Sequence, residues 1–395
     1  MTTQRVTAPV SGLAETLQAQ LDRLKREGLY RSRALLESPQ GARVRLAQRE
    51  FVSFASNDYL GLAADPRVIA AANEGALRYG VGSGASHLLY GHARIHQEVE
   101  EMLAEIVGFP RALLFSTGYM ANLGAVTALC GRDDDVFADK LNHASLNDAM
   151  QLCRARFWRY PHLDLDVLER ALARSRARHK LIVTDAVFSM DGDIASVPEM
   201  VALCERYDAW LLLDDAHGFG VLGDHGAGTL AHFGLHSERV LYMGTLGKAA
   251  GVFGAFIAAQ APVIDFLVNR AHSYIYTTAM PGLLAAALLV SLRILRTEDW
   301  RRVQLVRLME GLKAGIDASC GTLLKSQTAI QPLVIGEAAD AVRLADALAA
   351  RGFVVPAIRP PTVPRGSARL RISLSAAHHI DDVSRLVDAL GELSR

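Results

Sequence analysis

The stretch Val240-Leu241-Tyr242-Met243-Gly244-Thr245-Leu246-Gly247-Lys248 begins as an apolar run, passes through a turn of small residues and closes on a lysine. This pattern predicts a buried strand followed by a loop. A second apolar run, Trp210-Leu211-Leu212-Leu213, ends in Asp214-Asp215-Ala216-His217-Gly218. Of the six lysines in the chain, only Lys248 follows a predicted strand among glycines. Two short strands therefore present an amine and a pair of carboxylates at their ends.

An amine and a carboxylate in this arrangement are the groups that pyridoxal 5'-phosphate (PLP) needs from a protein. The lysine forms a Schiff base with the aldehyde, and the carboxylate keeps the pyridine nitrogen protonated so that the ring withdraws electrons. Most lysines lie on the surface, but the pairing of Lys248 with the acidic motif favours a catalytic role. Because side chains alternate along a strand, only one of Asp214 and Asp215 is expected to meet the cofactor.

Length and composition restrict the class of protein. The chain has 395 residues, half of them hydrophobic, which suits a globular protein of two domains or one large domain with an appendage. Acidic and basic residues balance at 42 each, which argues against nucleic-acid binding and membrane-surface binding. The N-terminus lacks a signal-peptide core, and the longest apolar run, Leu283–Val290, is far below the roughly 20 residues of a bilayer span. The four cysteines are scattered, so we expect no disulfide, no metal site and a cytoplasmic location.

Short apolar runs alternate with amphipathic segments, which predicts an α/β fold with a mostly parallel sheet covered on both faces. Strands are predicted at Arg111–Phe115, Asp135–Ala138, Leu181–Thr184, Trp210–Leu213, Leu241–Met243, Ala255–Ala258, Ile330–Ile335 and Arg369–Leu374. Helices are predicted at Leu13–Arg26, Ala93–Val107, Asn122–Leu129, Leu165–Arg174, Val197–Tyr207, Leu283–Leu295, Ala338–Arg351 and Asp381–Leu393. We expect an N-terminal arm over residues 1–55, irregular after its helix, a large domain over 56–280 and a smaller α+β domain over 281–395.

Ligands of such sheets bind at the carboxyl ends of the strands, where several polar motifs fall. Ser116-Thr117-Gly118-Tyr119 follows a predicted strand and opens a helix, so its N–H groups can hold a phosphate; a plain packing junction is the alternative. His143 follows another strand and can stack on a ring or transfer protons, although most histidines are surface or core residues. Ser189 can donate to a ring substituent, or it is only a turn serine.

Taken together, the motifs resemble those of the α-oxoamine synthase family of fold-type I PLP-dependent enzymes. The resemblance rests on Asp214-Asp215-Ala216-His217-Gly218, Thr245-Leu246-Gly247-Lys248 and Phe188-Ser189-Met190-Asp191-Gly192, and it runs from about Arg31 to the C-terminus. It implies a large PLP-binding domain, a smaller C-terminal domain, an N-terminal arm and a homodimer. Three further stretches most resemble the members of the family that serve biotin biosynthesis, namely Ser56–Leu62, Asn142–Ser145 and Ile358–Pro364.

The resemblance assigns roles residue by residue. Lys248 matches the Schiff-base lysine, and Asp214 matches the partner of the pyridine nitrogen. His217 matches the residue that bonds the ring oxygen, and His143 the one that stacks on the ring and assists catalysis. The other cofactor contacts that the resemblance implies are Gly118, Tyr119, Ser189 and Thr245, and the substrate-binding residues are Arg31, His143, Thr362 and Arg371.

The reaction that the resemblance implies is a decarboxylative condensation. L-Alanine would lose its α-proton to Lys248, attack a pimeloyl thioester of acyl carrier protein or coenzyme A, and release carbon dioxide. Other α-oxoamine synthases, which join glycine to acetyl-CoA or succinyl-CoA, or serine to palmitoyl-CoA, stay open as alternatives. An ordinary aminotransferase of the same fold is a further alternative, and a non-catalytic PLP-fold protein would lack the lysine.

Three details lead to separate expectations. Ala85 stands where the family frequently has glycine, which puts the flexibility and close approach of the loop Gly82–His87 in doubt. Thr278, on a polar turn before the second domain, is expected to reach the phosphate site of a second subunit.

A local excess of positive charge can steer an acidic carrier protein, or it is only a solvated face. This excess consists of Arg154, Arg156, Arg159, Arg170, Arg174, Arg176 and Arg178.

Overall fold

The computed structural model describes residues 12–394, and helices make up much of this part of the chain. The α-helices are α1 Leu13–Arg26, α2 Pro66–Tyr79, α3 Arg94–Val107, α4 Gly118–Leu129, α5 Ala144–Leu152, α6 Leu165–Arg174, α7 Val197–Tyr207, α8 Thr229–His232, α9 Ala261–Arg270, α10 His272–Ile275, α11 Gly282–Thr297, α12 Trp300–Gly315, α13 Ala338–Ala350 and α14 Ile380–Leu393. Short 3-10 helices lie at His87–Leu89, Asp224–Gly226 and Ala318–Cys320. Every predicted helix is present, although α4 begins four residues earlier than predicted.

Within residues 12–394, fourteen strands form three sheets. They are β1 Arg43–Leu46, β2 Arg49–Ser53, β3 Arg111–Phe115, β4 Asp135–Asp139, β5 Arg156–Tyr160, β6 Lys180–Asp185, β7 Trp210–Asp214, β8 Val240–Thr245, β9 Ala255–Ala259, β10 Thr322–Leu323, β11 Ile330–Gly336, β12 Phe353–Val354, β13 Ala357–Ile358 and β14 Ala368–Ser373. The largest sheet has the order β3-β9-β8-β7-β6-β4-β5. Strand β9 alone runs opposite to the other six strands, so the sheet is mostly parallel, as predicted.

Both faces of the large sheet are buried. Along β7, Leu211 and Leu213 pack into one apolar cluster, whereas Leu212 packs into another on the opposite face. Residues of a strand that is covered on both sides read as a continuous apolar run, because each face must be hydrophobic. This explains why β7 and β8 could be predicted from the sequence. Parallel pairing also brings their carboxyl ends to one edge, with Asp185 of β6 directly opposite Asp214 of β7.

The sequence pattern missed β5, the strand at one edge of the large sheet. Its first four residues, Arg156 to Arg159, are exposed, and only Tyr160 is buried. A strand that is exposed on both faces shows no alternation of apolar and polar residues, so local periodicity cannot reveal it.

The prediction that the connection after α1 is irregular was wrong in part. The antiparallel pair β1–β2 follows it, and β2 pairs in parallel with β12, so that Val52 lies opposite Phe353. Such a pairing joins residues about 300 positions apart and leaves no local signal. The C-terminal part also contains the sheet β10-β11-β14-β13. The division into domains at residues 55 and 280 stays a prediction.

None of the helices between residues 12 and 394 combines the length and the apolar character that a bilayer span requires. The four cysteines, Cys130, Cys153, Cys204 and Cys320, are buried and do not form disulfides. In the loop Gly82–His87, the left-handed backbone conformation belongs to Gly84, with φ of 67°, and not to Ala85. A side chain at position 85 therefore causes no backbone strain.

Candidate active site

The polar motifs meet in one cavity of about 200 Å³ at the carboxyl ends of the central strands. Its lining consists of Gly118, Tyr119, His143, Ser145, Asp185, Val187, Ser189, Asp214, Ala216, His217, Met243, Thr245 and Lys248. All eight residues that the sequence assigned to cofactor contact therefore lie around the same space. Of the predicted substrate-binding residues, only His143 lines this cavity, and the other three lie outside its wall.

Lys248 is a partly buried amine directly after β8. Its Nζ lies 3.0 Å from Nε2 of His217. Burial lowers the pKa of Lys248 to about 8, although the carboxylates of Asp214 and Asp185 act in the opposite direction. An amine with such a pKa can both hold and release a proton near neutral pH, as a Schiff-base lysine and a general base must.

Asp214 and Asp215 point to opposite sides of β7. Asp214 lines the cavity, where its Oδ2 accepts a 2.7 Å hydrogen bond from the side chain of Asn122. Asp215 lies in the core on the other face, where it accepts hydrogen bonds from the backbone and hydroxyl of Thr229, both at 2.6 Å, and from Tyr242 at 2.8 Å. Only Asp214 is therefore positioned to meet a ligand in the cavity.

His217 lies between Lys248 and a buried tyrosine that the sequence reading did not single out. Its Nδ1 is 2.6 Å from the hydroxyl of Tyr59, which is itself fully buried. Burial, reinforced by the positive charges of Lys248 and Arg371, holds the pKa of His217 well below its usual range. The imidazole is therefore neutral, with one nitrogen as donor and the other as acceptor.

The N-terminus of α4 forms another side of the cavity. Thr117 caps this helix, since its hydroxyl accepts a 3.1 Å hydrogen bond from the N–H of Met120. The N–H groups of Gly118 and Tyr119 have no acceptor within residues 12–394. A side chain at position 118 would bring its Cβ to 2.8 Å from Thr245 Cγ2, so glycine keeps this corner open. Two free N–H groups and the helix dipole suit a phosphate.

Asp185 is a cavity residue to which the sequence assigned no role. It accepts a 3.2 Å hydrogen bond from the N–H of His143 and so holds the loop that carries this histidine. Burial, and next the negative charge of Asp214, raise its pKa well above the usual range, which favours the neutral acid. The available signal was its place at the end of a buried apolar strand, where an acid is costly unless it has a task.

Two arginines of β14 hold the loop that carries Ser189. Arg371 donates to the backbone oxygen of Ser189 at 2.6 Å, and Arg369 donates to Asp191 at 2.6 Å. Arg371 also donates to Asn57 Oδ1 at 3.1 Å, while its Nη2 makes only a 3.5 Å contact with Tyr59. Nη2 therefore retains donors for a carboxylate, the group that a guanidinium binds best.

Arg31 and Thr362, two predicted substrate-binding residues, lie 331 positions apart in the chain but are in contact. Arg31 Nη2 donates to Thr362 Oγ1 at 3.1 Å, and Arg359 donates to the backbone oxygen of Tyr30 at 3.0 Å. The segment after α1 and the proline-rich segment near residue 360 therefore form one surface. The sequence named both residues separately and could not show that they meet.

Comparison with known proteins agrees with this geometry. Residues 49–390 match the family of class I and II aminotransferases. The 8-amino-7-oxononanoate synthase of Nitrosospira multiformis is 60% identical over 384 residues, which are 97% of this chain and 96% of that protein. The enzyme of the same name from Nitrosomonas europaea is 59% identical over 390 residues, 97% of this chain and all of that protein. The chain belongs to the 8-amino-7-oxononanoate synthase family.

Solved structures confirm the predicted fold class. Serine palmitoyltransferase of Sphingomonas wittichii superposes with a TM-score of 0.90 at 30% identity, over 98% of this chain and 99% of that one. The 8-amino-7-oxononanoate synthase of Francisella tularensis has a TM-score of 0.76 at 29% identity, over 87% of this chain and 97% of that one. The fold is that of fold-type I PLP-dependent enzymes, and PLP is the cofactor of the family.

The residues around the cavity fit PLP. The N-terminus of α4 would hold the phosphate, Asp214 the pyridine nitrogen, and His217 the ring oxygen. Lys248 is the amine that can bind the aldehyde. An amine, a carboxylate, a neutral imidazole and two free N–H groups around one cavity match the polar groups of the cofactor one by one.

A half-buried histidine paired with the loop that carries Ser189 leads to a prediction about stability. His162 Nδ1 is 3.1 Å from both oxygens of Asp139, and its Nε2 is 2.7 Å from Asp193, in the loop that carries Ser189. Burial opposes a positive charge on His162, but the bonds to Asp139 and Asp193 outweigh it and raise its pKa to about 10. The stability that this charge provides is fully present below the unfolded-state pKa of about 6.5 and is lost as the pH rises toward 10.

We therefore expect His162→Gln to lower the free energy of unfolding by about 2 kcal/mol at pH 6.5, because hydrogen bonds between charged groups are lost. The difference in unfolding free energy between this variant and the unchanged protein should shrink steadily up to pH 10. Urea unfolding of the two proteins at several pH values measures this difference. His179→Gln is the control, since His179 also pairs with an aspartate, Asp134, but is itself largely exposed and should matter little. A His162→Gln difference that does not change with pH would show that His162 is uncharged.

Proposed function

We propose that this protein condenses L-alanine with a pimeloyl thioester to give 8-amino-7-oxononanoate, releasing carbon dioxide and the carrier thiol. The observation that carries the proposal is the position of Lys248. It is an amine of lowered pKa in the same cavity as Asp214 and the open N-terminus of α4. The relatives named for this product are up to 60% identical to the chain, which supports the same product here.

The principal polar residues of the site have chemical tasks in this reaction. When bound, PLP supplies an aldehyde for amines and a ring that withdraws electrons from the α-carbon. Lys248 Nζ takes the α-proton of alanine, because its pKa near 8 lets it exchange protons at neutral pH. Asp214 would keep a proton on the pyridine nitrogen, and His217 would donate to the ring oxygen. Arg371 would orient the carboxylate of alanine, and His143 would stack on the ring.

The acyl donor fits the surface formed by Arg31 and Thr362. A pimeloyl chain ends in a free carboxylate, which distinguishes it from acetyl and palmitoyl chains. The guanidinium of Arg31 is exposed and bonds only to Thr362 within residues 12–394, so it keeps donors for this carboxylate. The solved serine palmitoyltransferase is similar in shape but only 30% identical, so fold alone does not decide the substrates.

Two arginines of the cluster, Arg156 and Arg178, lie away from the cavity, whereas Arg159 near the carboxyl end of β5 donates to the backbone oxygen of Lys140. Arg156 lies at the amino end of β5 and pairs with Asp135 at the amino end of β4. Arg178 precedes β6, and its N–H donates to the backbone oxygen of Asp133. These positions lie at the edge of the sheet opposite the cavity. Preference for acyl carrier protein or coenzyme A is therefore a question for kinetics.

The proposal is tested by offering purified, PLP-loaded protein a matrix of amino acids and thioesters. Alanine, glycine and serine are combined with pimeloyl, acetyl, succinyl and palmitoyl thioesters, and products are identified by mass. We expect 8-amino-7-oxononanoate from alanine with the pimeloyl thioester, at rates well above all other pairs. Arg31→Ala should raise KM for the pimeloyl thioester about tenfold, as expected for one lost ionic contact. A higher rate with another pair would overturn the proposed substrates.

We also propose that the protein acts as a homodimer. Several large apolar side chains near the loop Gly82–His87 are exposed, including Leu89 at 69% and Tyr276 at 77%. An apolar surface of this kind marks an interaction site. The same region contains Thr278, whose backbone pairs with Ser86 and which does not line the cavity of its own chain. A second copy would cover these side chains and receive Thr278 at its phosphate corner.

We expect light scattering to show a dimer at micromolar concentration. The double change Leu89→Asp and Tyr276→Asp should weaken the dimer by roughly two orders of magnitude, because it places two charges in an apolar contact. PLP affinity should fall with it if the partner subunit completes the phosphate corner. Val303→Asp, on another exposed apolar position, is the control. An unchanged protein that is a fully active monomer at working concentration would refute the proposal.

A further inference from the structure

Tyr59 is a buried polar residue in contact with His217. Its side chain is 1% exposed. Its hydroxyl lies 2.6 Å from His217 Nδ1 and 3.2 Å from Asn57 Oδ1. Arg371 approaches the same hydroxyl at 3.5 Å and Asn57 Oδ1 at 3.1 Å. His217 in turn lies 3.0 Å from Lys248 Nζ. These five side chains form one continuous chain of polar contacts.

A single hydroxyl proton has two acceptors here, and its position decides the tautomer of His217. If Tyr59 donates to Asn57, its oxygen accepts from Nδ1–H, and Nε2 offers a lone pair to the ammonium group of Lys248. If Tyr59 donates to Nδ1, then Nε2 carries the hydrogen and is a donor. In the second state Asn57 Oδ1 still accepts from Arg371, so no buried group loses its partner.

We propose that Tyr59 is a positioning residue that lets His217 change tautomer when PLP binds. The inference rests on the proposed function, because it assumes that the ring oxygen of PLP replaces the ammonium group as the neighbour of Nε2. In the free site Nε2 accepts from Lys248. In the loaded site Nε2 donates to the ring oxygen. One proton moves from Nδ1 to Nε2 with no net uptake, and the Tyr59 hydroxyl rotates from Asn57 to Nδ1.

Phenylalanine at position 59 would remove this adaptability. Within residues 12–394, Tyr59 is the group that hydrogen bonds His217 Nδ1. Without it, one ring nitrogen is buried without a partner in either tautomer, and the orientation of the ring is no longer fixed. We expect Tyr59→Phe to bind PLP about tenfold more weakly than the unchanged protein, which is the cost of one buried hydrogen bond.

The matched control is Tyr242→Phe. Tyr242 is also fully buried and donates to a carboxylate, that of Asp215, but on the opposite face of the sheet. It should lose stability without loss of PLP affinity. The second measurement is nitrogen-15 NMR of histidine-labelled protein, with His217 assigned from a His217→Asn variant. The unchanged protein should show the Nδ1–H form of His217 before PLP is added and the Nε2–H form afterwards.

Tyr59→Phe should show a mixture of both forms, while Tyr242→Phe should behave like the unchanged protein. The inference is overturned if His217 keeps one tautomer with and without PLP, or if Tyr59→Phe binds PLP as tightly as Tyr242→Phe. Failure of the unchanged protein to bind PLP is a different result, since it would refute the proposed function itself. NMR of the cofactor-free protein reports the starting tautomer independently of turnover.

Discussion

Lys248→Ala should lower kcat by at least three orders of magnitude, while PLP still binds. Loss of the amine removes both the group that binds the aldehyde and the base that takes the α-proton. Deletion of such a group typically lowers the rate by roughly a thousandfold or more. The contacts of the α4 N-terminus and Asp214 do not depend on the amine. Steady-state rates and equilibrium dialysis of PLP measure the two parts separately.

Lys140→Ala provides the matched control, because Lys140 lies on the exposed loop before His143 and outside the cavity. It should retain the activity of the unchanged protein to within a factor of about two, as expected for a surface substitution. Loss of activity in both variants, or retention of activity by Lys248→Ala, would contradict the assignment of Lys248.

Asp214→Asn should lower kcat by about a thousandfold, in the range found when a key electrostatic group is removed. A neutral amide cannot hold a proton on the pyridine nitrogen as a carboxylate does, so the ring withdraws electrons less strongly. The amide can still occupy the same space beside Asn122. PLP binding should therefore weaken far less than turnover.

The neighbouring change Asp215→Asn separates catalysis from stability. Burial raises the pKa of Asp215 to about 6. Its carboxyl group accepts hydrogen bonds from Thr229 and Tyr242 on the face of β7 opposite the cavity. We expect a loss of about 2 kcal/mol in the free energy of unfolding, as for other buried hydrogen bonds to a charged group. The rate at 25 °C should change little. A severe loss of kcat in Asp215→Asn together with a mild one in Asp214→Asn would reverse the assignment.

How much of the fold the sequence predicts depends on where burial leaves a local pattern. Strands β7 and β8 are covered on both faces, so their apolar runs are visible within a few residues. Edge strand β5 has no such pattern because four of its five residues are exposed. The pairing of β2 with β12 depends on contacts between distant parts of the chain, and no short stretch of sequence encodes it.

The candidate site follows the same rule. Residues at or just beyond the ends of buried strands, such as Asp214 and Lys248, were predicted from their position together with the chemistry of their side chains. Tyr59 lies within a stretch already noted for its resemblance, but its role depends on a contact with His217, 158 positions away. Asp185 gains its importance from Asp214 on the neighbouring strand. Contacts of this kind between distant residues appear only once the strands are assembled.

The most direct test of the central claim uses L-alanine labelled with carbon-13 at the carboxyl carbon, together with a pimeloyl thioester and the PLP-loaded protein. Decarboxylative condensation breaks the bond between this carbon and the α-carbon. We predict that the label leaves as carbon dioxide in a one-to-one ratio with unlabelled 8-amino-7-oxononanoate, and that Lys248→Ala forms neither. Label that is retained in pyruvate, with no carbon dioxide released, would show an aminotransferase and contradict the account.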